Sequence, residues 1–168
     1  GALKNIALGF LSFQGVSSFV STLAEIEQGM IGVAKTTGLT GDELQSLSDG
    51  IDELASELKG VSLLELQTIA ETAGQLGIQG EKDILTFSEA IGKISVATDL
   101  TAEQAAKDFA VLSNILKEPI ENTERLGSVI NELSNTTTAT AGDIVEFAKR
   151  ISGAGVTIGL TSDQIFGL

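Results

Sequence analysis

The chain has no cysteine, no histidine, no tryptophan and no tyrosine, and it has a single proline in 168 residues. Each absence excludes something. Without cysteine there are no disulfides and no thiolate metal sites. Without histidine the commonest general base and the commonest metal ligand are missing. Seven phenylalanines are the only aromatics. The core must therefore come from Leu, Ile, Val and Ala, which favours helices packed closely through small side chains. One proline suits that reading, because proline breaks helix interiors. Basic residues are also few, ten against 23 acidic, for a net charge of −13. Apart from Lys149-Arg150 they are scattered. A phosphate backbone needs clustered cations, so direct nucleic-acid binding is not expected. The acidic surface confers solubility and repels anionic membrane.

What is present is a repeat. Asp83, Ile84, Phe87, Ile91, Leu100, Thr101 and Gln104 recur as Asp143, Ile144, Phe147, Ile151, Leu160, Thr161 and Gln164, each pair 60 apart (143−83, 164−104). Leu66, Ile69 and Ala73 recur conservatively as Leu126, Val129 and Leu133. A third, partial copy lies upstream, where Ile31-Gly32 matches Ile91-Gly92 and Leu39-Thr40 matches Leu100-Thr101 with one residue slipped. Packing positions recur and reactive residues do not, which points to a stacked scaffold and not to a catalytic pocket. With 42% hydrophobic and 20% charged residues, the chain can bury a sizeable core.

Local signals divide each unit into three helices. Leu44, Leu47, Ile51, Leu54, Ala55 and Leu58 carry one apolar stripe over residues 41–58. Thr40 and Glu43 are placed as its capping box, and Gly60 stops it. Ser62 and Glu65 open the next helix, with Leu66, Ile69, Ala70 and Ala73 inward until Gly74 and Gly77 weaken and end it. A third helix runs from about Glu81 to Ala97, burying Ile84, Phe87, Ile91 and Ile94. Thr101 with Gln104 starts a fourth, with Ala105, Phe109, Leu112 and Leu116 on one face. Pro119 fits the first turn of a fifth, whose stripe is Leu126, Val129, Ile130 and Leu133. After the polar loop Asn135 to Thr140, Thr140 and Asp143 start a sixth, ending near Gly153, and Thr161 signals a new one. No segment alternates apolar and polar residues like a strand. The expected fold is all-α, with packed short helices in two internally repeated three-helix units plus a longer N-terminal helix. Residues 1–38 form the N-terminal apolar segment. Residues 39–168 form the helical repeat domain, with units of about 39–99 and 100–160.

The N-terminal segment is distinct. From Ile6 to Ala24 there is no charged residue. Such a length matches a membrane span of roughly 20 residues, yet Ser12, Gln14, Ser17, Ser18, Ser21 and Thr22 interrupt it, and Gly9 and Gly15 lower helix propensity. Two readings stand: a helix buried against the repeats or a partner, and a membrane contact through residues 6–24. Gly1-Ala2 in place of an initiator methionine, and a helix signal only a few residues before Leu168, read as the ends of a piece of a longer polypeptide.

Reactive constellations are weak throughout. Asp49, Asp52, Glu53 and Glu57 fall on one helical face, where a cation could bridge them, but such a row is also the ordinary solvated side opposite an apolar stripe. Serine and threonine have no histidine to activate them, and there is no Ser-x-x-Lys. Gly74, Gly77 and Gly80, and Gly153, Gly155 and Gly159, follow no strand and carry no Gly-Lys-Ser/Thr, so they read as helix ends and tight turns and not as phosphate loops. Asn135-Thr136-Thr137 matches a glycosylation sequon and reads as a threonine-rich turn. No catalytic, cofactor-binding or metal-binding residue is assigned, and no cofactor is expected.

Larger blocks carry a resemblance. The run Glu27-Gln28-Gly29-Met30-Ile31-Gly32-Val33-Ala34, followed by Thr37-Gly38-Leu39-Thr40, resembles the opening of tailed-phage tape measure proteins of the phage minor tail family. The block Ala73-Gly74-Gln75-Leu76-Gly77-Ile78-Gln79-Gly80 is similar to that family's Ala-Gly-Gln-Leu-Gly-Ile-x-Gly block. Ala97-Thr98-Asp99-Leu100-Thr101 with Glu103, then Leu126-Gly127-Ser128 with Ile130-Asn131, resemble the segments that follow. The resemblance covers roughly residues 25–168. It implies a long helical protein of the virion tail, present in the host cytoplasm during assembly. Such a protein sets tail length, scaffolds the tail tube, and meets other copies of itself and the tail-tube and tail-initiation proteins. It implies no catalytic residues. Two alternatives stand beside it: a membrane-active helical module used in DNA delivery, and a non-viral helical adaptor.

Overall fold

A computed structural model describes residues 14–167, and side-chain surroundings from Ala24 onward apart from Asp163. The described residues form eight α-helices and no strand: α1 (Gln14–Thr37), α2 (Gly41–Glu57), α3 (Leu63–Gln75), α4 (Glu81–Ala97), α5 (Ala102–Leu116), α6 (Thr123–Thr136), α7 (Ala141–Thr157) and α8 (Ser162–Phe166). A short 3-10 turn, Ile120–Asn122, leads into α6. The fold is all-α.

The packing order is a zigzag. From α1 to α7, each helix meets the helix two places on: α1 packs on α3, α3 on α5 and α5 on α7, while α2 packs on α4 and α4 on α6. From α2 onward most sequence neighbours also touch, α2 with α3, α3 with α4, α4 with α5, α6 with α7 and α7 with α8. The result is two rows of helices with one core between them. Leu47, Ile51, Leu66, Ile69, Ile84, Phe87, Ile91, Phe109, Leu112, Leu126 and Ile130 are fully enclosed in it. Each large aliphatic or aromatic side chain so enclosed contributes about 1.5–3 kcal/mol relative to exposure.

Several helix starts follow from local chemistry. In α3, the Ser62 amide donates to Glu65 Oε2 at 2.8 Å and the Glu65 amide donates to Ser62 Oγ at 3.3 Å. Thr101 with Gln104 and Thr140 with Asp143 form the same reciprocal box at α5 and α7. Thr40 differs from expectation. It is the N-cap of α2 but its side chain makes no capping bond. Gly41, the next residue, has φ +57, so the chain enters the helix through a left-handed residue and Thr40 Oγ does not reach the Glu43 amide.

Helix ends show similar logic and two corrections. Gly77 has φ +86, the Ile78 amide donates to the Ala73 carbonyl at 3.0 Å, and the Gly77 amide donates to the Gly74 carbonyl at 3.1 Å. This is the Schellman pattern, and it stops α3. Gly74 itself stays inside the helix. The sixth predicted helix does not end near Gly153: α7 runs on to Thr157 and closes with the same pattern at Gly159, where the Leu160 amide donates to the Gly155 carbonyl at 2.9 Å. Pro119 is not in the first turn of α6 either. It caps the 3-10 turn, because Lys117 in the left-handed conformation (φ 55) has already redirected the chain.

The α3 cap has a pH signature. Hydrogen bonds to the carboxylate from the Ser62 amide, and then from the Ser62 hydroxyl, hold Glu65 below its ordinary pKa. A lowered folded pKa contributes stability above the unfolded value of about 4.3, and that contribution is lost as pH falls through the folded pKa. Glu65→Gln keeps the acceptor. We expect it to leave neutral stability nearly unchanged while flattening the acid limb of a stability–pH curve below about pH 4. An unaltered acid limb would refute this role.

Candidate functional surface

Among the described residues, the ionisable groups pair with one another, cap helices or face water. Lys93 on α4 donates to Glu89 at 2.9 Å and crosses to Glu124 on α6 at 3.0 Å. Those two carboxylates, Glu89 first, raise its pKa. Lys149 on α7 pairs with Asp108 on α5, and the Ser162 hydroxyl at the start of α8 donates to Glu118. Asp99, in the loop after α4, accepts from the Ala141 amide at 2.9 Å. It thereby satisfies an otherwise orphaned donor at the start of α7. Nothing in the spacing of Asp99 to Ala141 announces this bond, because it spans 42 residues.

The acidic row Asp49, Asp52, Glu53 and Glu57 lies along the exposed side of α2, where Gln45 donates to Asp49 at 2.8 Å. Among the described residues, no three acidic side chains come together as metal ligands. A cleft of about 340 Å³ between α2 and α4 collects Glu53, Glu57, Glu81, Lys82 and Glu89 around Leu85.

A more apolar opening lies at the other end of the stack. Leu133, Ala139, Ile144, Phe147, Ile151 and Phe166 line a groove of about 460 Å³. Phe147 is 59% exposed, and Ile144 and Ile151 are half-buried. This departs from the sequence expectation, which placed all three at packing positions like Ile84, Phe87 and Ile91. The reason is the neighbourhood of each helix. α4 is flanked by α2, α3, α5 and α6, whereas α7 is flanked by α5, α6 and α8.

The apolar stretch singled out at residues 6–24 falls largely outside the described residues. Residues 6–13 are not described, and side-chain surroundings are described only from Ala24. Among the described residues, no helix is long and apolar enough to cross a membrane.

Comparison with known proteins decides the family. The sequence pattern of the family described as phage-related minor tail protein matches residues 48–168. The chain belongs to that family. It is also 23% identical, over 177 aligned residues, to the probable tape measure protein of Halomonas phage phiHAP-1, and the alignment covers 99% of this chain and 20% of that relative. The chain thus spans about a fifth of the length of the curated relative it matches. No solved structure matches it. The family match takes in α3 to α8 whole, together with most of α2.

Proposed function

We propose that this chain is a helical module of a tape measure protein, a polypeptide whose length sets tail length and which scaffolds tail-tube assembly. The observation that carries the reading is the family match over residues 48–168, joined to whole-chain similarity with a probable tape measure protein. The zigzag stack supports it. Its ion pairs and capping boxes tie helices together, and the apolar groove beside α7 suits a protein contact better than a reaction, so the role is mechanical and not catalytic. Partners on this reading are other copies of the polypeptide and the tail-tube and tail-initiation proteins. Assembly takes place in the host cytoplasm before the module is enclosed in the virion tail.

The test is genetic and visual. A stop codon within this sequence, in the phage or prophage that encodes it, should leave filled heads and no tails of defined length by electron microscopy. Supplying the polypeptide in trans should restore them. Normal tails in the stop mutant would end the proposal.

A further inference from the structure

We propose that the Ile144–Phe147–Ile151 groove is the seat of one further stacked helix with the pattern of α6, supplied by the same polypeptide C-terminal to α8. The groove adjoins an existing helix–helix interface, since Leu133 of α6 forms one of its walls and α6 packs on α7. The occupant is read from the other end of the stack. The helices α3, α4 and α5 begin at residues 63, 81 and 102, and α6, α7 and α8 begin at 123, 141 and 162. Moving the partners of α4 three helices along gives α5, α6, α8 and a ninth. The first three are the partners of α7, and the ninth would sit as α6 sits on α4.

The burial pattern marks the same side. On α4, Ile84, Phe87, Ile91 and Ile94 are buried, with the Ile94 side chain against Gly127 of α6. Sixty residues on, Ile144 and Ile151 are half-buried and Phe147 and Ala154 exposed, while Val145, Ala148 and Ser152 are buried on the side toward the rest of the stack. So α7 has the apolar residues of a helix with four neighbours and packs on three. Where α4 carries Lys93 and Ile94, α7 carries the smaller Gly153 and Ala154. A helix seated there has room for a side chain larger than glycine where α6 carries Gly127. A polypeptide resembling the phiHAP-1 protein, of which this chain matches 20%, has the length to provide such a helix.

The absence of cysteine makes a direct test available. Phe147→Cys puts a single thiol in the groove, and Val96→Cys puts one at an exposed site on α4. Residues 119–137, the α6 segment, are then joined after Leu168 through a flexible linker, which gives an effective concentration of order mM. Labelling of the Phe147→Cys thiol should slow by about 10-fold or more when the helix is joined, with Val96→Cys unchanged. A joined segment whose Leu126, Ile130 and Leu133 equivalents are serine should give no protection. Equal rates with and without the joined helix would overturn the proposal. So would protection by the serine-bearing segment. Protection that appears in the unextended chain as its concentration rises would assign the groove to a second copy, and would overturn it too.

Discussion

Phe87→Ala should lower stability by about 3–5 kcal/mol, the usual cost of emptying an aromatic site in a core, while Phe147→Ala should cost less than about 1 kcal/mol. The two residues are 60 apart and share helical neighbours, Ile84 and Ile91 for one, Ile144 and Ile151 for the other. Sequence alone gives them equal weight. Phe87 is 0% exposed and Phe147 is 59% exposed, so only the first leaves a cavity that surrounding atoms must collapse into or leave open. Urea unfolding of the two variants measures the difference as a shift in midpoint at constant slope. Equal losses would mean that Phe147 is enclosed, and that the groove does not exist in the folded chain.

The second large effect concerns the join between α1 and α3. Gly74→Ala should destabilise by about 1–2 kcal/mol, although alanine is favoured over glycine inside a helix by roughly 1 kcal/mol. A Cβ at this position would lie 2.7 Å from Thr36 Oγ1, 2.8 Å from the Thr36 carbonyl carbon and 2.9 Å from Thr37 Cγ2. Two of those atoms belong to side chains, but the carbonyl carbon is backbone and yields only if α1 moves. Overpacking of that kind costs about 1–3 kcal/mol, which exceeds the propensity gain. Gly153→Ala is the control. Gly153 lies within α7 with nothing within 4 Å of its added Cβ, so the propensity gain stands alone and the chain should be stabilised by up to about 1 kcal/mol. Hydrogen exchange should show amides of α1 losing protection first in Gly74→Ala. A stabilised Gly74→Ala variant would contradict the close crossing.

Those two glycines show what could be read before folding. In sequence both look like helix breakers. In the structure both lie inside helices, one because a neighbouring backbone passes close to it and one with no neighbour at all. The reciprocal caps at Ser62, Thr101 and Thr140 were legible because a capping box is written within four residues. The all-α class and the approximate spans of α2 to α6 came from apolar spacing for the same local reason. The Asp99–Ala141 bond and the exposure of Phe147 depend on which helices lie alongside, which no local pattern encodes. The family was legible by a different route. The residues exclude chemistries, as the missing histidine and cysteine show, but they do not name a role. The blocks around Gly29–Thr40 and Ala73–Gly80 supplied the family through resemblance.

Tail length measured by electron microscopy tests the central claim most directly. Inserting a second copy of residues 82–141 in frame adds one 60-residue period (141−82+1). End to end as α-helix those residues would span about 90 Å at 1.5 Å per residue. Kept as a two-row stack, three helices advance by about 12–15 Å, half the 8–10 Å interaxial distance for each. The account predicts a single class of longer tails with an increment between those bounds, and tails of unchanged length would contradict it.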